Sequence, residues 1–387
     1  MRSASFVALL SAMFAAAFGY AAIMPLLPGL LAALLPQAAE VEISRHAGAL
    51  AAAYMAALVV FSSAWGAASD RYGAKPIILL GLAGSALALL AAAFAQGVWS
   101  AYVARAVQGA FAAAILPVAT SALADIPDTA ERARKVAGLG AAALLGYFAG
   151  PALSAVVIST RAAQPVAIAL IGSAVLALFA LAIVAALLGR AAQRVAEAHG
   201  SALRELPARF LALSLLAYFG LGAFEVALPL AARGPLAADP AGVSMLFMEC
   251  SLVMLAAQGL LMWAAPLRAW FQQVLIAGIA VFGAGLLLLA GAGSLAAAVA
   301  AVGLIAVGSG LVLPLIGYLA TLEIRARPGA ALGALTAAGG LGQALGAVSG
   351  GLLYGYAGPG MFTATAFAVA LGAWLGSRTC APRWMRY

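Results

Sequence analysis

Apolar positions along this chain neither alternate nor fall into narrow helical stripes. They run on for some 20 residues at a time, broken by short clusters of Gly, Pro and charged residues. A helix of roughly 20 apolar residues is what crosses a hydrocarbon core about 30 Å thick. Twelve such segments are predicted, near 4–34, 47–69, 76–96, 98–124, 136–158, 165–189, 208–232, 242–264, 270–291, 295–321, 330–354 and 359–377. Arg2 and the apolar stretch after it resemble a secretory leader. The run continues to about Leu35, however, and eleven comparable segments follow, so the first helix is expected to be retained. The pattern predicts an all-α integral membrane protein with twelve transmembrane helices.

Composition sharpens this picture. Hydrophobic residues make up 66% of the chain and charged residues 8%, against about a quarter charged in a soluble domain. The 43 glycines and the many alanines suit helices that pack closely in lipid through small residues. The net charge of +8 does not point to nucleic acid, because the basic residues are scattered singly between apolar runs. Of the 20 basic residues, 16 fall on one side of the alternating plan and three on the other (Arg45, Arg161 and Arg233), with Arg105 inside a segment. This asymmetry predicts both termini on the cytoplasmic side of a cell inner (cytoplasmic) membrane. The longest polar stretch, 189–210, divides the chain into a six-helix bundle at 1–189, a linker at 190–208 and a second six-helix bundle at 209–387. Two related bundles around a midplane cavity are an arrangement of transporters. Cys250 lies in an apolar run and Cys380 in the polar tail, so neither a mutual disulfide nor a metal site is expected. His46 and His199 fall on opposite sides, and no Ser/His dyad, metal cluster or phosphate loop is legible, which argues against an enzyme.

Three motifs carry more. Between the second and third segments the chain reads "GAASDRYGAKP", with Gly66, Asp70, Arg71, Gly73 and Lys75 in a G-x-x-x-D-R-x-G-x-K spacing. Gly66 is expected to allow close helix approach, Asp70 to meet helix ends or basic groups, and Gly73 to form the tight turn that Arg71 and Lys75 hold at the membrane surface. The fourth segment contains "RAVQG", Arg105 to Gly109, and the fifth "GYFAGPALSA", with Gly146, Gly150 and Pro151 suited to a bend or tight contact. The first stretch resembles the signature loop of the major facilitator superfamily, the second that family's R-x-x-Q-G motif. The third resembles the G-x-x-x-G-P-x-x-G-G motif of its drug:proton antiporter branch, with Ser154 and Ala155 in place of the final glycines. The resemblance implies the twelve-helix major facilitator fold and alternating access driven by a proton gradient with no cofactor, the carrier working as a monomer on a small-molecule substrate. It also implies a gating role for the signature loop and for the seam at Gly146, Gly150 and Pro151, and an inner charge latch joining Asp125 with Asp70.

Charges inside the membrane cost about 2.5–3.5 kcal/mol each even on lenient scales, so each is expected to face protein, a partner or water. Arg105, Glu225 and Glu249 each lie about seven residues from one end of their segments, roughly 10 Å deep, where they could surround one cavity. A carboxylate away from water favours its protonated form, because desolvation penalises the charge. Glu225 and Glu249 are therefore the candidate proton sites, with Arg105 as coupling partner. Permanently protonated carboxyls or a structural ion pair with Arg105 remain open as alternatives. Related antiporters carry a coupling carboxylate in the first half, whereas the first segment here has no acidic residue, so coupling is expected in the second half. Tyr102 and Gln108 share a helix face with Arg105, and Tyr218 shares one with Glu225. With Tyr20 and Tyr54, they are the candidate substrate contacts.

The leading expectation is a proton-coupled exporter of a small organic molecule by antiport. A proton symporter, an exporter of a zwitterionic metabolite or metallophore (siderophore), and a non-transporting membrane sensor are the alternatives.

Overall fold

The computed structural model describes residues 3–123, 126, 128–189, 206–234, 236, 238–263, 270–323 and 328–379. Every regular element among them is helical. The first apolar segment forms α1 (Ser3–Ala21), a 3₁₀ turn (Met24–Leu26) and α2 (Leu27–Leu34). α3 (Glu40–Tyr72), α4 (Ala74–Ala93), α5 (Val98–Ala112), α6 (Leu116–Leu123), α7 (Thr129–Ser159) and α8 (Pro165–Leu187) follow. The second half contributes α9 (Ala208–Ala232), α10 (Pro240–Trp263), α11 (Phe271–Ala290), α12 (Leu295–Glu323), α13 (Pro328–Ala357) and α14 (Gly360–Thr379). With α1/α2 and α5/α6 each counted as one interrupted rod, these make the twelve expected helices. Ten of the rods are long and apolar enough to cross a membrane, and the glycine-rich α13 with α14 completes the set.

The chain divides into two compact units, one of Met1–Ala198 with Asp239–Ser251 and the other of His199–Ala238 with Leu252–Tyr387. The expected linker at 190–208 lies outside the described residues as far as 205. In the first unit, α1 packs along α7 and α8, α4 along α8 and α5, and α3 along α5. Leu9, Ile78, Leu82, Ile115, Val118 and Val184 form a dry core between these helices. In the second unit, α9 packs along α13 and α14, and α11 along α12 and α14.

The α1/α7 and α9/α13 pairs meet backbone to backbone, and glycine makes the approach possible. A Cβ at Gly146 would stand 2.5 Å from the Phe14 carbonyl oxygen, and one at Gly150 would stand 2.7 Å from that of Phe18. In the second unit, Cβ atoms at Gly342 and Gly346 would fall on the carbonyls of Leu215 and Phe219, and one at Gly350 would lie 2.8 Å from that of Ala223. The α1/α7 and α9/α13 seams thus repeat one device, a small residue every fourth position, which keeps one helix face open to its neighbour's backbone.

α1 and α5 each lose their regular ladder midway. The last α-helical bond of α1 runs from the Ala22 N–H to the Phe18 carbonyl. Beyond it, Pro25 has no N–H to give, and the Leu26 N–H turns to the nearer Ile23 carbonyl. After α5, the Ala114 N–H turns to the Phe111 carbonyl, which leaves that of Ala110 without its usual helical donor. Side chains from other helices take up the freed carbonyls. Gln108 donates to Gly19 at 3.2 Å, Ser154 donates to Ala22, and the Trp65 indole donates to Ala110 at 2.6 Å. These partners offset the cost of about 1–3 kcal/mol that a buried unsatisfied polar group carries.

Candidate functional site

The first unit brings four of the sequence-derived site residues together. Arg105 on α5 is 1% exposed. Its guanidinium carbon lies 4.8 Å from the ring centre of Tyr54 on α3 and 5.4 Å from that of Tyr20 on α1. The two tyrosine rings are themselves 4.8 Å apart, and Tyr147 on α7 meets Tyr20 edge-on at 5.9 Å. Arg105 Nη1 donates to Gln108 Oε1 at 2.7 Å, while Gln108 Nε2 reaches the freed carbonyl of Gly19. Gln108 therefore links the guanidinium to the break in α1. Gly109, next in sequence, admits the α3 backbone, since a Cβ there would fall on the Tyr54 carbonyl.

Magnitudes show what this arrangement leaves open. Taking a guanidinium out of water costs several kcal/mol. Contact with the two rings returns about 0.5–2 kcal/mol each, and the charge-assisted bond to Gln108 about 1.5–3 kcal/mol. Among the described residues, Arg105 Nε and Nη2 have no acceptor. The site is thus a cation held by aromatic faces with one hydrogen-bonding edge unused.

In the second unit, Glu225 on α9 is half-buried and accepts a 2.9 Å hydrogen bond from Nε2 of Gln343 on α13. The same two helices meet one turn earlier, where a Cβ at Gly339 would stand 2.6 Å from the Tyr218 ring. Tyr218 and Glu225 therefore both lean onto α13. The backbone of Gln343 is itself locked, because a Cβ at Gly222 would fall on the Gln343 carbonyl. Glu249 is half-buried on α10, in the stretch Asp239–Ser251 that belongs to the first unit.

The signature loop forms at the α3–α4 junction. Gly73 has φ of +86° and ψ of 158°, in the region that favours glycine, and ends α3 while starting α4. Lys75 donates from Nζ to the Ala185 carbonyl at 2.6 Å, capping the last turn of α8. Arg71 stacks on the neighbouring Tyr72 ring at 5.2 Å. Asp70 is half-buried and pairs with no cation among the described residues. Asp125, expected to latch with it, lies outside the described residues.

Two placements differ from the sequence reading. Gly66 does not serve close helix approach, because a Cβ there would meet nothing within 4 Å. Tyr102 stands apart from the Arg105 cluster although it shares a helix face with that residue. One turn toward the N-terminus of α5, its hydroxyl lies 3.0 Å from His46 Nδ1 and its ring beside Trp99. Ser154, read as a small replacement for a motif glycine, also holds the Ala22 carbonyl with its hydroxyl. Gln343 and Tyr147 were not anticipated. The one signal for Gln343 was a single amide in a glycine-rich apolar run, "GGLGQALG".

Residues 9–212, more than half of the chain, match the family model of the Major Facilitator Superfamily. The chain belongs to this family. It is accordingly a multi-pass protein of a transporter family and not an enzyme, as the sequence reading expected. The class B tetracycline resistance protein of Escherichia coli is 38% identical over 135 residues, 35% of this chain and 33% of that protein. The class G tetracycline resistance protein of Vibrio anguillarum is 40% identical over 153 residues, 40% of this chain and 38% of that protein. The chain thus aligns with only about a third of each of these relatives. The crystal structure of a D-xylose-proton symporter superposes with a TM-score of 0.79 at 13% identity, over 96% of both chains, a likeness of fold.

Proposed function

We propose that this family member is a proton-coupled exporter of small organic molecules in a cytoplasmic membrane, with Glu225 and Glu249 as its proton-exchanging groups and Arg105 as the charge that couples to them. The observation that carries the reading is Glu225 itself. A carboxylate inside a spanning helix, hydrogen-bonded to a neutral amide, can gain and lose a proton at a cost set by its surroundings. The amide of Gln343 suits both states: its N–H donates to the carboxylate, and its carbonyl oxygen can accept from the protonated acid after a flip.

Energetics permit the scheme. One proton moving down about 100 mV supplies about 2.3 kcal/mol, and every 1.4 kcal/mol is worth about tenfold in concentration. One or two exchanging sites therefore sustain a useful gradient. Partial likeness to tetracycline resistance proteins and the G-x-x-x-G-P seam of α7 support export over uptake. The proposed solute contacts are Tyr20, Tyr54, Gln108 and Tyr218. The loop of Gly66, Asp70, Arg71, Gly73 and Lys75, together with the α7 seam, is the proposed gate. The reading needs no cofactor and no second copy of the chain.

The test is transport by everted membrane vesicles energised with a pH gradient, with tetracycline and ethidium as probes. Accumulation that collapses on adding nigericin is expected for at least one of them. Accumulation of either probe that persists without a pH gradient would contradict proton coupling, and movement of neither would contradict export of this class.

A further inference from the structure

Arg105 carries its charge in an enclosed site with its hydrogen-bonding capacity only partly used. Tyr54 and Tyr20 lie against the guanidinium, and Nη1 is committed to Gln108. The atoms left without an acceptor among the described residues are Nε and Nη2. These two are not an arbitrary remainder. Their N–H bonds lie side by side on one edge of the guanidinium, the edge that grips both oxygens of a planar anion in two parallel hydrogen bonds. We propose that this edge is a receptor for the carboxylate of a transported solute, so that the substrates include small acids with an apolar body.

The chemistry of the surroundings narrows the class. One fork and one positive charge match a monoanionic two-oxygen group. The neighbours that hold the fork, Tyr20 and Tyr54, with Tyr147 edge-on against Tyr20, bring aromatic rings and, among the described residues, no second cation, whereas a phosphate dianion calls for one. The ring contacts also fix the plane of the guanidinium, and Gln108 fixes its rotation, so the free edge is held ready. Because Gln108 also holds the Gly19 carbonyl at the break in α1, a solute seated on the fork is two hydrogen bonds away from the point where α1 loses its ladder. The inference rests on the reading of the chain as a carrier of small solutes, and it does not depend on proton coupling.

The test is equilibrium binding to the purified full chain in detergent, followed by calorimetry with two matched pairs, benzoate against benzamide and hexanoate against hexanamide. At least one acid is expected to bind, with its amide at least tenfold weaker. Arg105→Lys, which keeps the charge and loses the fork, is expected to weaken the acid at least tenfold, while Tyr356→Phe, on the exposed face of α13, leaves it unchanged. Equal binding of acid and amide, binding of neither acid, or native affinity in Arg105→Lys would overturn the proposal. So would benzoate binding that emerges only in Glu249→Gln, since an internal carboxylate would then occupy the fork. If Arg105→Lys does not fold, the acid and amide comparison on the native protein decides alone. No gradient is applied, so the two readings can fail separately. Acid binding without gradient-driven transport would sink the export reading alone, and gradient-driven ethidium transport with no preference for acid over amide would sink this one alone.

Discussion

Gln343 donates its side-chain amide to the carboxylate of Glu225 across 2.9 Å, joining two residues 118 positions apart in sequence on helices that touch backbone to backbone. Gln343→Leu removes the donor and leaves the carboxylate, so it is expected to cost about 1–3 kcal/mol of stability. The added change Glu225→Gln in that background is expected to cost less than it does alone, because the bond is already gone. Thermal unfolding of the native, single and double variants measures the coupling, and strict additivity would show that the pair does not interact.

Glycines in the seams and in the signature loop are expected to behave differently. At Gly346 or Gly109 an added methyl meets a neighbouring backbone carbonyl, which cannot move without moving its helix, so Ala there is expected to cost about 1–3 kcal/mol or more. At Gly66 the same methyl meets open space. The melting temperature of Gly66→Ala is expected to stay within a degree or two of native, as befits a surface change of about 0.5 kcal/mol or less.

Ser154→Gly would bring the chain nearer to the glycine-paired antiporter motif, yet it is expected to destabilise this protein. The hydroxyl, fully buried, supplies a donor to the Ala22 carbonyl where α1 loses its ladder. Its loss is expected to cost about 1–3 kcal/mol. Unfolding of Ser154→Gly at native temperature would show that the carbonyl finds another partner.

Tyr54→Leu removes the ring nearest the Arg105 guanidinium and is expected to cost about 0.5–2 kcal/mol, whereas Tyr54→Phe keeps the ring face and should cost far less. Comparable losses in both variants would assign the role to the hydroxyl instead.

Much of the fold was legible because the length of an apolar run is a strong signal. Each of the twelve segments met a continuous or once-interrupted rod, and Gly73 stood where the D-R-x-G spacing put it. The interruptions themselves were not legible. Residues 4–34 read as one helix, since Pro25 and Pro28 alone do not say whether a partner stands ready for the carbonyls they strand. Ser154 and Gln108 are that partner, and they lie on other helices. Of the candidate site, Tyr20, Tyr54, Arg105 and Gln108 converged, because depth along each segment was readable from residue counts. Tyr102 did not, although it shares a helix face with Arg105: about 1.5 Å of rise per residue carries it a turn away, within reach of His46. Gln343 was invisible because its meaning comes from the register between α9 and α13, on which the three motifs, all in the first half, do not bear.

The most direct measurement of the central claim is gradient-driven transport by the reconstituted protein, with the native chain, Glu225→Gln and Glu249→Gln compared side by side. Proteoliposomes with an acidic interior are loaded with tetracycline or ethidium from outside, and accumulation is followed by fluorescence before and after the gradient is collapsed. The account predicts accumulation by the native protein that depends on the gradient, and loss of at least tenfold in one or both glutamine variants, with concentration-driven exchange retained. Full gradient-driven accumulation in both variants would contradict it.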